Sequence, residues 1–319
     1  VEPAAATMLE ATALQKNLAP GADVQLVDSS TYNPAWLFAQ VLKTDTGQLA
    51  VDLDVPVAGQ YGLSLGYVAN QPTAMMVALG STSMTTLAQV TTPGQPERTV
   101  FPVVSLPAGK TRLTVRGQGS FGIYGVTLQP VYRPVPSPNW LSIGPFPTNW
   151  HSGNAGALVK EAMLRVDPPM QGVDVKQQYP GDGNQQVAWQ QSKEVHGGVP
   201  HFDENAGLSF LYRAKVQERG VCYAATYIVS PDERDAEILI GCDWWANAWL
   251  NGQLLKTDRP IKYVEDDGCA FSGWRPLPAK VHLQKGSNIL LVKSHGGTVA
   301  NWFTCYISDP GDLRIAVTP

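Results

Sequence analysis

Short strand-like segments separated by glycine or proline constrain the fold of this chain more than any other feature of its sequence. Residues 49–57 and 61–68 alternate apolar and polar side chains on either side of an Ala-Gly turn. Such segments recur about every 8 to 12 residues, which is the spacing of strands in a β-sandwich. Alternation with a period of two gives each strand one core-facing side. The sequence therefore predicts an all-β protein of antiparallel sheets.

Helical signals are few, and one proline-rich stretch divides the chain. Residues 4–18 are rich in good helix formers and end at an Ala-Pro-Gly stop, which predicts a short N-terminal helix. A second short helix is predicted over residues 157–166. Four prolines within residues 130–138 predict a stiff, extended linker. The predicted parts are an N-terminal helical arm (1–23), a first β-sandwich domain (24–133) and a second (134–319).

Charge and hydropathy exclude two classes of partner. The net charge is −4 and no basic block occurs, so nucleic-acid binding has no electrostatic basis. No apolar run approaches the 18 or so residues that a membrane span needs. The chain begins at Val1 without a basic, apolar leader, an opening expected of a mature secreted, periplasmic or cell-surface protein or of a fragment. The four cysteines could form one or two disulfides or remain buried thiols.

Three phrases of the first half carry a family resemblance: DVPVAGQYGLSLGYV, LPAGKTRLTVRG and FGIYGVTLQP. Over residues 24–130 the chain resembles the β-jelly-roll carbohydrate-binding modules of the galactose-binding-domain-like superfamily. The resemblance implies a jelly-roll sandwich that often binds sugar through loop aromatics and frequently holds one structural Ca²⁺. The loop aromatics here are Tyr32 and Trp36. Trp36 could instead be the first core residue of a strand over 36–42.

Six phrases of the second half stand in a familiar order: WLSIGPFP, YPGDGNQQVAW, CYAATYIVS, LIGCDWWANAWLNGQLL, VHLQKGSNILLVKSHGG and NWFTCYISDP. Over residues 140–310 they resemble the β-sandwich accessory domains of bacterial glycoside hydrolases and other secreted carbohydrate-active proteins. The two resemblances imply tandem jelly-roll, galactose-binding-domain-like domains. Asp243-Trp244-Trp245 stands where the usual pattern has Asp-Asp-Gly, so no binding site is carried over from the family.

Residues 238–252 contain the strongest site signal in the chain. An apolar strand leads into an Asp-Trp-Trp turn and returns as a second strand over residues 246–250. Asn251-Gly252 then favours the positive φ angles of a hairpin. We predict a tight antiparallel meander here.

The adjacent indoles of this meander cannot both face the core unless a turn rotates them, because neighbouring side chains of a strand point to opposite faces. One of Trp244 and Trp245 should therefore be exposed beside Asp243. An exposed ring next to a carboxylate suits a sugar, which stacks its apolar face and donates hydroxyl hydrogen bonds. The alternative is that both rings pack under neighbouring loops. Trp274 and Arg275 are the predicted neighbours of this site.

Catalysis has weaker support in the sequence. A glycosidase needs two carboxylates about 5 to 10 Å apart, and Asp243 could form such a pair with an acid of the 265–267 run. That run could equally bind calcium, with Asp182 as a further ligand, or be a solvated turn. The acids of the run are Glu265, Asp266 and Asp267.

Three functions follow from these signals. The first is a non-catalytic carbohydrate-binding or scaffolding module of a secreted bacterial carbohydrate-active protein, with a polysaccharide or oligosaccharide as partner. The second is a glycoside hydrolase that uses the loop carboxylates between the domains. The third is a structural role in which the exposed aromatics contact other domains or subunits of a larger enzyme.

Overall fold

The computed structural model describes residues 8–36, 39–83, 88–148, 155–192, 206–210, 220–257, 268–296 and 301–319. The chain forms two compact units, Glu2–Val131 and Tyr132–Pro319. The ladders between the described strands are antiparallel. The prediction of an all-β protein with antiparallel sheets is confirmed. None of the helices within the described ranges is long and apolar enough to cross a membrane.

The N-terminal unit contains two sheets that enclose one core. In the first sheet β5 pairs with β9, β10 and β12, and β12 pairs further with β1 and β3. The second sheet has the order β4-β11-β6-β7, with β8 on β6. The strands are β1 (Leu9–Glu10), β2 (Val24–Asp28), β3 (Gln40–Thr44), β4 (Gln48–Val55), β5 (Gly59–Val68), β6 (Thr73–Leu79), β7 (Thr82–Ser83), β8 (Ala88–Val90), β9 (Glu97–Val100), β10 (Val104–Leu106), β11 (Gly109–Gly117) and β12 (Phe121–Pro134), with helix α1 (Ala11–Gln15) and a 3₁₀ helix (Ser29–Thr31).

Alternation along β4 shows why this part of the sequence folds as a sandwich. Its apolar residues Leu49, Val51, Leu53 and Val55 are buried in the core between the sheets. The polar residues between them lie on the other face. Eight consecutive residues of β4 pair with β11, so the register is fixed along the whole strand.

The N-terminal helix is shorter than predicted. The structure gives a helix only over Ala11–Gln15, whereas residues 1–7 lie outside the described ranges. Leu9–Glu10 pairs with β12 before the helix, and Leu18 forms a bridge with Val51 after it. Pairing with strands at both ends overrides the helix propensity of the flanking residues. The segment that the sequence suggests as an arm thus adds Ala11 and Leu14 to the core of this unit.

The C-terminal unit also contains two sheets. One has the order β16-β13-β18-β23-β20-β21, with β25 on β18; the other contains β17, β24, β19 and β22, and residues 132–134 of β12 pair with β24. Its elements are β13 (Leu141–Phe146), β14 (Gln178–Pro180), β15 (Gln186–Ala188), β16 (Gln190–Gln191), β17 (Gly207–Ser209), β18 (Val221–Ser230), β19 (Arg234–Cys242), β20 (Trp245–Leu250), β21 (Gln253–Leu254), β22 (Leu277–Leu283), β23 (Gly286–His295), β24 (Trp302–Ser308) and β25 (Arg314–Ala316), with helix α2 (Ala155–Leu164) and 3₁₀ helices Ser137–Asn139, Pro168–Gln171 and Asp182–Asn184.

The first of these sheets is covered on both faces. One face meets the second sheet across a core that includes Trp140 and Phe303, whose rings meet edge to face at 4.8 Å. The other face is covered by α2 and by residues 168–189. A sheet buried on both faces needs nearly continuous apolar strands, and Val221–Ser230 has that character.

The predicted meander over residues 238–252 is wrong in one respect. β19 pairs with β22 and β24, whereas β20 pairs with β23 and β21, so β19 and β20 belong to different sheets. Alternation of apolar and polar residues predicts which face of a strand is buried, but it does not predict which strand pairs with it. The hairpin after β20 is confirmed, with φ of 50° at Asn251 and 81° at Gly252.

All four cysteines are buried free thiols, which decides against disulfides.

Candidate functional site

The turn between β19 and β20 carries the chain from one sheet of the C-terminal unit to the other. Backbone hydrogen bonds hold it on both sides. The N–H of Cys242 donates to the carbonyl of Gly273 at 3.0 Å, and the N–H of Asp243 donates to that of Trp302 at 3.0 Å. The turn residues therefore have a fixed backbone.

The two adjacent tryptophans have opposite environments. Trp245 is 6% exposed, and Trp244 is 46% exposed. Trp245 packs against Val159 and Met163 of α2, and its ring meets His295 edge to face at 5.6 Å. The two indoles lie 5.3 Å apart at an angle of 31°. Trp244 is thus an exposed ring supported by a buried one. One exposed indole was predicted, but the predicted cause is wrong: Trp244 lies in the turn before β20, and its ring stacks on Trp245 and does not point to the opposite face of a strand.

Trp274 and Arg275 reach the same corner through the segment that precedes β22. A Cβ on Gly241 would lie 2.9 Å from the Trp274 carbonyl oxygen, so only glycine lets this segment lie so close to β19. Trp274 is 44% exposed. The Arg275 guanidinium carbon lies 5.1 Å from the centre of the Trp274 ring, a cation–π contact. We call Asp243, Trp244, Trp274 and Arg275 the tryptophan corner.

Asp243 is half-buried within this corner. Burial, and then the charge of Asp243, raises the pKa of the adjacent Cys242 thiol, so that thiol stays protonated.

Glu265, Asp266 and Asp267 lie outside the described residues, and the carboxylate pair that a glycosidase needs stays a prediction. Among the described residues no group of three His, Cys, Asp or Glu side chains is arranged to hold a metal ion. The calcium site likewise stays a prediction, and Asp182 is half-buried in a 3₁₀ helix.

Tyr32 and Trp36 lie in the N-terminal unit and pack within it. Tyr32 is 8% exposed and contacts the small cluster that contains Val41. Trp36 is half-buried and meets Tyr124 edge to face at 5.2 Å. Because β3 begins at Gln40, Trp36 stands in the preceding loop and does not start a strand. Neither ring forms an open platform.

Sequence reasoning missed a buried charged cluster beneath α2. Lys293 of β23 is fully buried, and its ammonium donates to the carbonyls of Met163 (3.2 Å) and Arg165 (2.7 Å) near the end of α2. Asp167 lies 3.6 Å from that ammonium and accepts from the Tyr223 hydroxyl at 2.6 Å and from Arg165 at 2.6 Å. Burial lowers the pKa of Lys293 to about 8. The signal was a lone lysine inside the apolar run of β23.

The cluster matters to the tryptophan corner because both depend on α2. Lys293 satisfies carbonyls at one end of the helix, and the helix side chains cover Trp245. Trp245 in turn supports Trp244. The buried charges therefore help to fix the position of the exposed ring.

Comparison with known proteins finds similarity to solved structures and none in sequence. No protein-family model and no curated protein sequence matches the chain. It is similar in structure to the C-terminal family 6 carbohydrate-binding module of a marine laminarinase from Zobellia galactanivorans (13% identity, 39% of this chain and 98% of that one, TM-score 0.28). It is also similar to a family 35 carbohydrate-binding module from Clostridium thermocellum (12% identity, 40% and 100%, TM-score 0.31).

A third similar structure is a Podospora anserina GH26-CBM35 β-(1,4)-mannanase (15% identity, 50% of this chain and 34% of that one, TM-score 0.31). The first two of these structures are carbohydrate-binding modules, and the third is a mannanase with a family 35 module. At such identities and TM-scores the likeness says nothing about a ligand.

Proposed function

We propose that the C-terminal unit binds a polysaccharide or oligosaccharide at the tryptophan corner, as a non-catalytic module of a secreted bacterial carbohydrate-active protein. The observation that carries the proposal is Trp244, a half-exposed indole held in place by Trp245 beneath it. A ring that is already fixed loses little conformational freedom when a pyranose stacks on it.

Polar groups at the corner complement the ring. Arg275 is exposed and can donate hydrogen bonds to a sugar. Oδ2 of Asp243 is buried, so a sugar hydroxyl would donate to Oδ1 of this carboxylate. Because Arg275 lies over Trp274, a sugar that reaches this indole meets the guanidinium as well as the ring. The corner thus offers stacking and hydrogen bonding together, the two contacts that a hydroxylated ring requires.

Replacing Trp244 by Ala is expected to weaken polysaccharide binding about tenfold, because a stacked aromatic contact of this kind contributes roughly 1 to 1.5 kcal/mol. Trp244→Phe should keep most of the affinity. The measurement is native electrophoresis through gels that contain cellulose derivatives, xylan, β-1,3-glucan, galactan or mannan. The free energy of unfolding should change little in both variants, since the ring is half exposed.

Leu164→Ala is the control for this experiment, since Leu164 is 59% exposed in the same unit and lies outside the corner. It should migrate as the unaltered chain does. If no gel retards the chain, or if Trp244→Ala is retarded as strongly as Leu164→Ala, the corner is not a sugar site.

A contact surface for another domain or subunit is the second candidate. Trp244, Leu254 and Trp274 are exposed large apolar side chains of the C-terminal unit. Exposed apolar groups of this size are common in protein interfaces. Sedimentation velocity separates the candidates: self-association that Trp244→Ala abolishes, without any polysaccharide binding, would favour the contact surface.

A further inference from the structure

A groove of about 570 Å³ lies in the C-terminal unit between the 3₁₀ helix Pro168–Gln171 and strand β14. It shares no residue with the tryptophan corner. Its volume is in the range of sites that hold small molecules. We call it the 168–180 groove; its lining is Pro168, Gln171, Gly172, Val173, Asp174, Gln177, Gln178, Tyr179 and Pro180.

The walls of the groove are fixed by the core beneath them. Tyr179 is 6% exposed and belongs to the apolar cluster on the outer face of the sheet, and Val173 packs against the same cluster. Asp167, directly before the first lining residue, is held by the Tyr223 hydroxyl and by Arg165. β14 pairs with β15. A ligand would therefore meet preformed walls.

The polar groups of the lining are amides and one carboxylate. Gln177 accepts a hydrogen bond from the Tyr179 hydroxyl through Oε1 at 3.3 Å, which leaves its NH₂ group to donate elsewhere. Oδ1 of Asp174 accepts from the backbone N–H of Lys176 at 2.9 Å. Gln171 and Gln178 add two further amides. An amide both donates and accepts, which is what a hydroxyl group needs from its partners.

The charge of the lining selects among ligands. None of the described residues that line the groove is Lys or Arg, and Asp174 is acidic, so this lining disfavours phosphate, sulfate and carboxylate groups. Four polar side chains around the rings of two prolines do not suit a purely apolar ligand. We infer that the 168–180 groove is a second binding site, for a neutral oligosaccharide. The inference deepens the proposed carbohydrate function with a site that does not depend on Trp244.

The test uses the full chain with cellohexaose, xylohexaose, laminarihexaose and mannohexaose as probes, and follows backbone amide resonances by NMR. A hexaose that binds should shift the amides of Gly172, Val173 and Gln178. In Trp244→Ala/Trp274→Ala the shifts should persist. Adding Gln177→Ala to this variant should weaken the affinity of the groove for the hexaose about tenfold, which corresponds to the loss of one to two hydrogen bonds. The matched control is Gln186→Ala, an exposed glutamine on β15 outside the lining.

The outcomes separate the two sites. Groove shifts that persist without the corner tryptophans and fall with Gln177→Ala support the groove, even if the corner proves inactive. Shifts only around Trp244, with none at Gly172 or Val173, overturn the groove and leave the proposed function standing. If Gln186→Ala weakens hexaose binding as much as Gln177→Ala does, the groove is likewise not the binding site. If N-acetyl-lysine methylamide shifts the groove amides and none of the hexaoses does, the groove is a cation site and the inference is wrong.

Discussion

Replacing Asp167 by Asn is expected to lower the free energy of unfolding of the C-terminal unit by about 3 kcal/mol at pH 6, because removing one partner of a buried ion pair leaves the other charge uncompensated. The Lys293 ammonium is fully buried, and Asp167 is its carboxylate partner at 3.6 Å. The two carbonyls that it contacts are dipoles and carry no full charge. Nothing else named in the cluster can balance it, since Arg165 is itself a cation.

The cost should shrink as the pH rises. Below its pKa of about 8, Lys293 in the folded protein is charged, and the Asp167 carboxylate stabilises that charge. Above pH 8 the folded lysine is neutral, so the loss of the carboxylate has a smaller effect on stability. Asp167→Asn should therefore cost less at pH 9 than at pH 6. In Asp167→Asn/Lys293→Met much of the loss should be recovered, because neither charge remains to be buried.

Urea unfolding followed by tryptophan fluorescence measures this effect. Eight of the nine tryptophans belong to the C-terminal unit, since only Trp36 precedes residue 132. Asp312→Asn is the control. Asp312 is 47% exposed and pairs with Arg234 at 2.8 Å, and an exposed pair contributes about 1 kcal/mol or less. Equal losses in Asp167→Asn and Asp312→Asn would contradict a stabilising role for the buried pair.

The sequence predicted strands and local turns well because these depend on neighbouring residues. The alternation over 49–57 appears as β4, and Asn251-Gly252 appears as the hairpin between β20 and β21. The choice of partner strand depends on residues far along the chain. The meander prediction failed on that point when β19 and β20 joined different sheets.

The site was predictable to a similar depth. Strand alternation predicted one exposed indole at Trp244 or Trp245. Trp244 is the exposed one, but it lies in a turn with its ring against Trp245, so the turn and the contacts of Trp245 with α2 set the exposure of the two rings. Tyr32 and Trp36 carried the same aromatic signal, yet tertiary packing buries them to different extents. The 168–180 groove has no sequence signature, because a cavity arises from how a loop lies on its core. Lys293 did leave a trace, since a lysine in a strand buried on both faces requires a partner.

Acidification from pH 6.5 to 5 is expected to lower the free energy of unfolding of the C-terminal unit by about 1.5 kcal/mol through His295. The pKa of His295 is lowered to about 4: burial lowers it most, the backbone hydrogen bond to Gly296 opposes this, and the charges of Lys293 and Arg165 also lower it. The unfolded imidazole has a pKa near 6.5. Between these values the unfolded chain binds a proton that the folded chain does not, so stability is lost as the pH falls through that window.

His282 provides an internal control of opposite sign. Its ring lies 2.8 Å from carboxylate oxygens of both Asp235 and Glu233, which raise its pKa. Its stabilising effect is present at low pH and is lost as the pH rises through the raised pKa, so His282→Asn should steepen the acid loss slightly. His295→Asn should flatten it, because Asn does not titrate and can still donate to the Gly296 carbonyl. Should His295→Asn not fold, the imidazole resonances of the unaltered chain decide the matter: a His295 signal that titrates near pH 6.5 contradicts the prediction, whereas one that stays constant down to pH 5 agrees with a ring kept neutral by the protein around it.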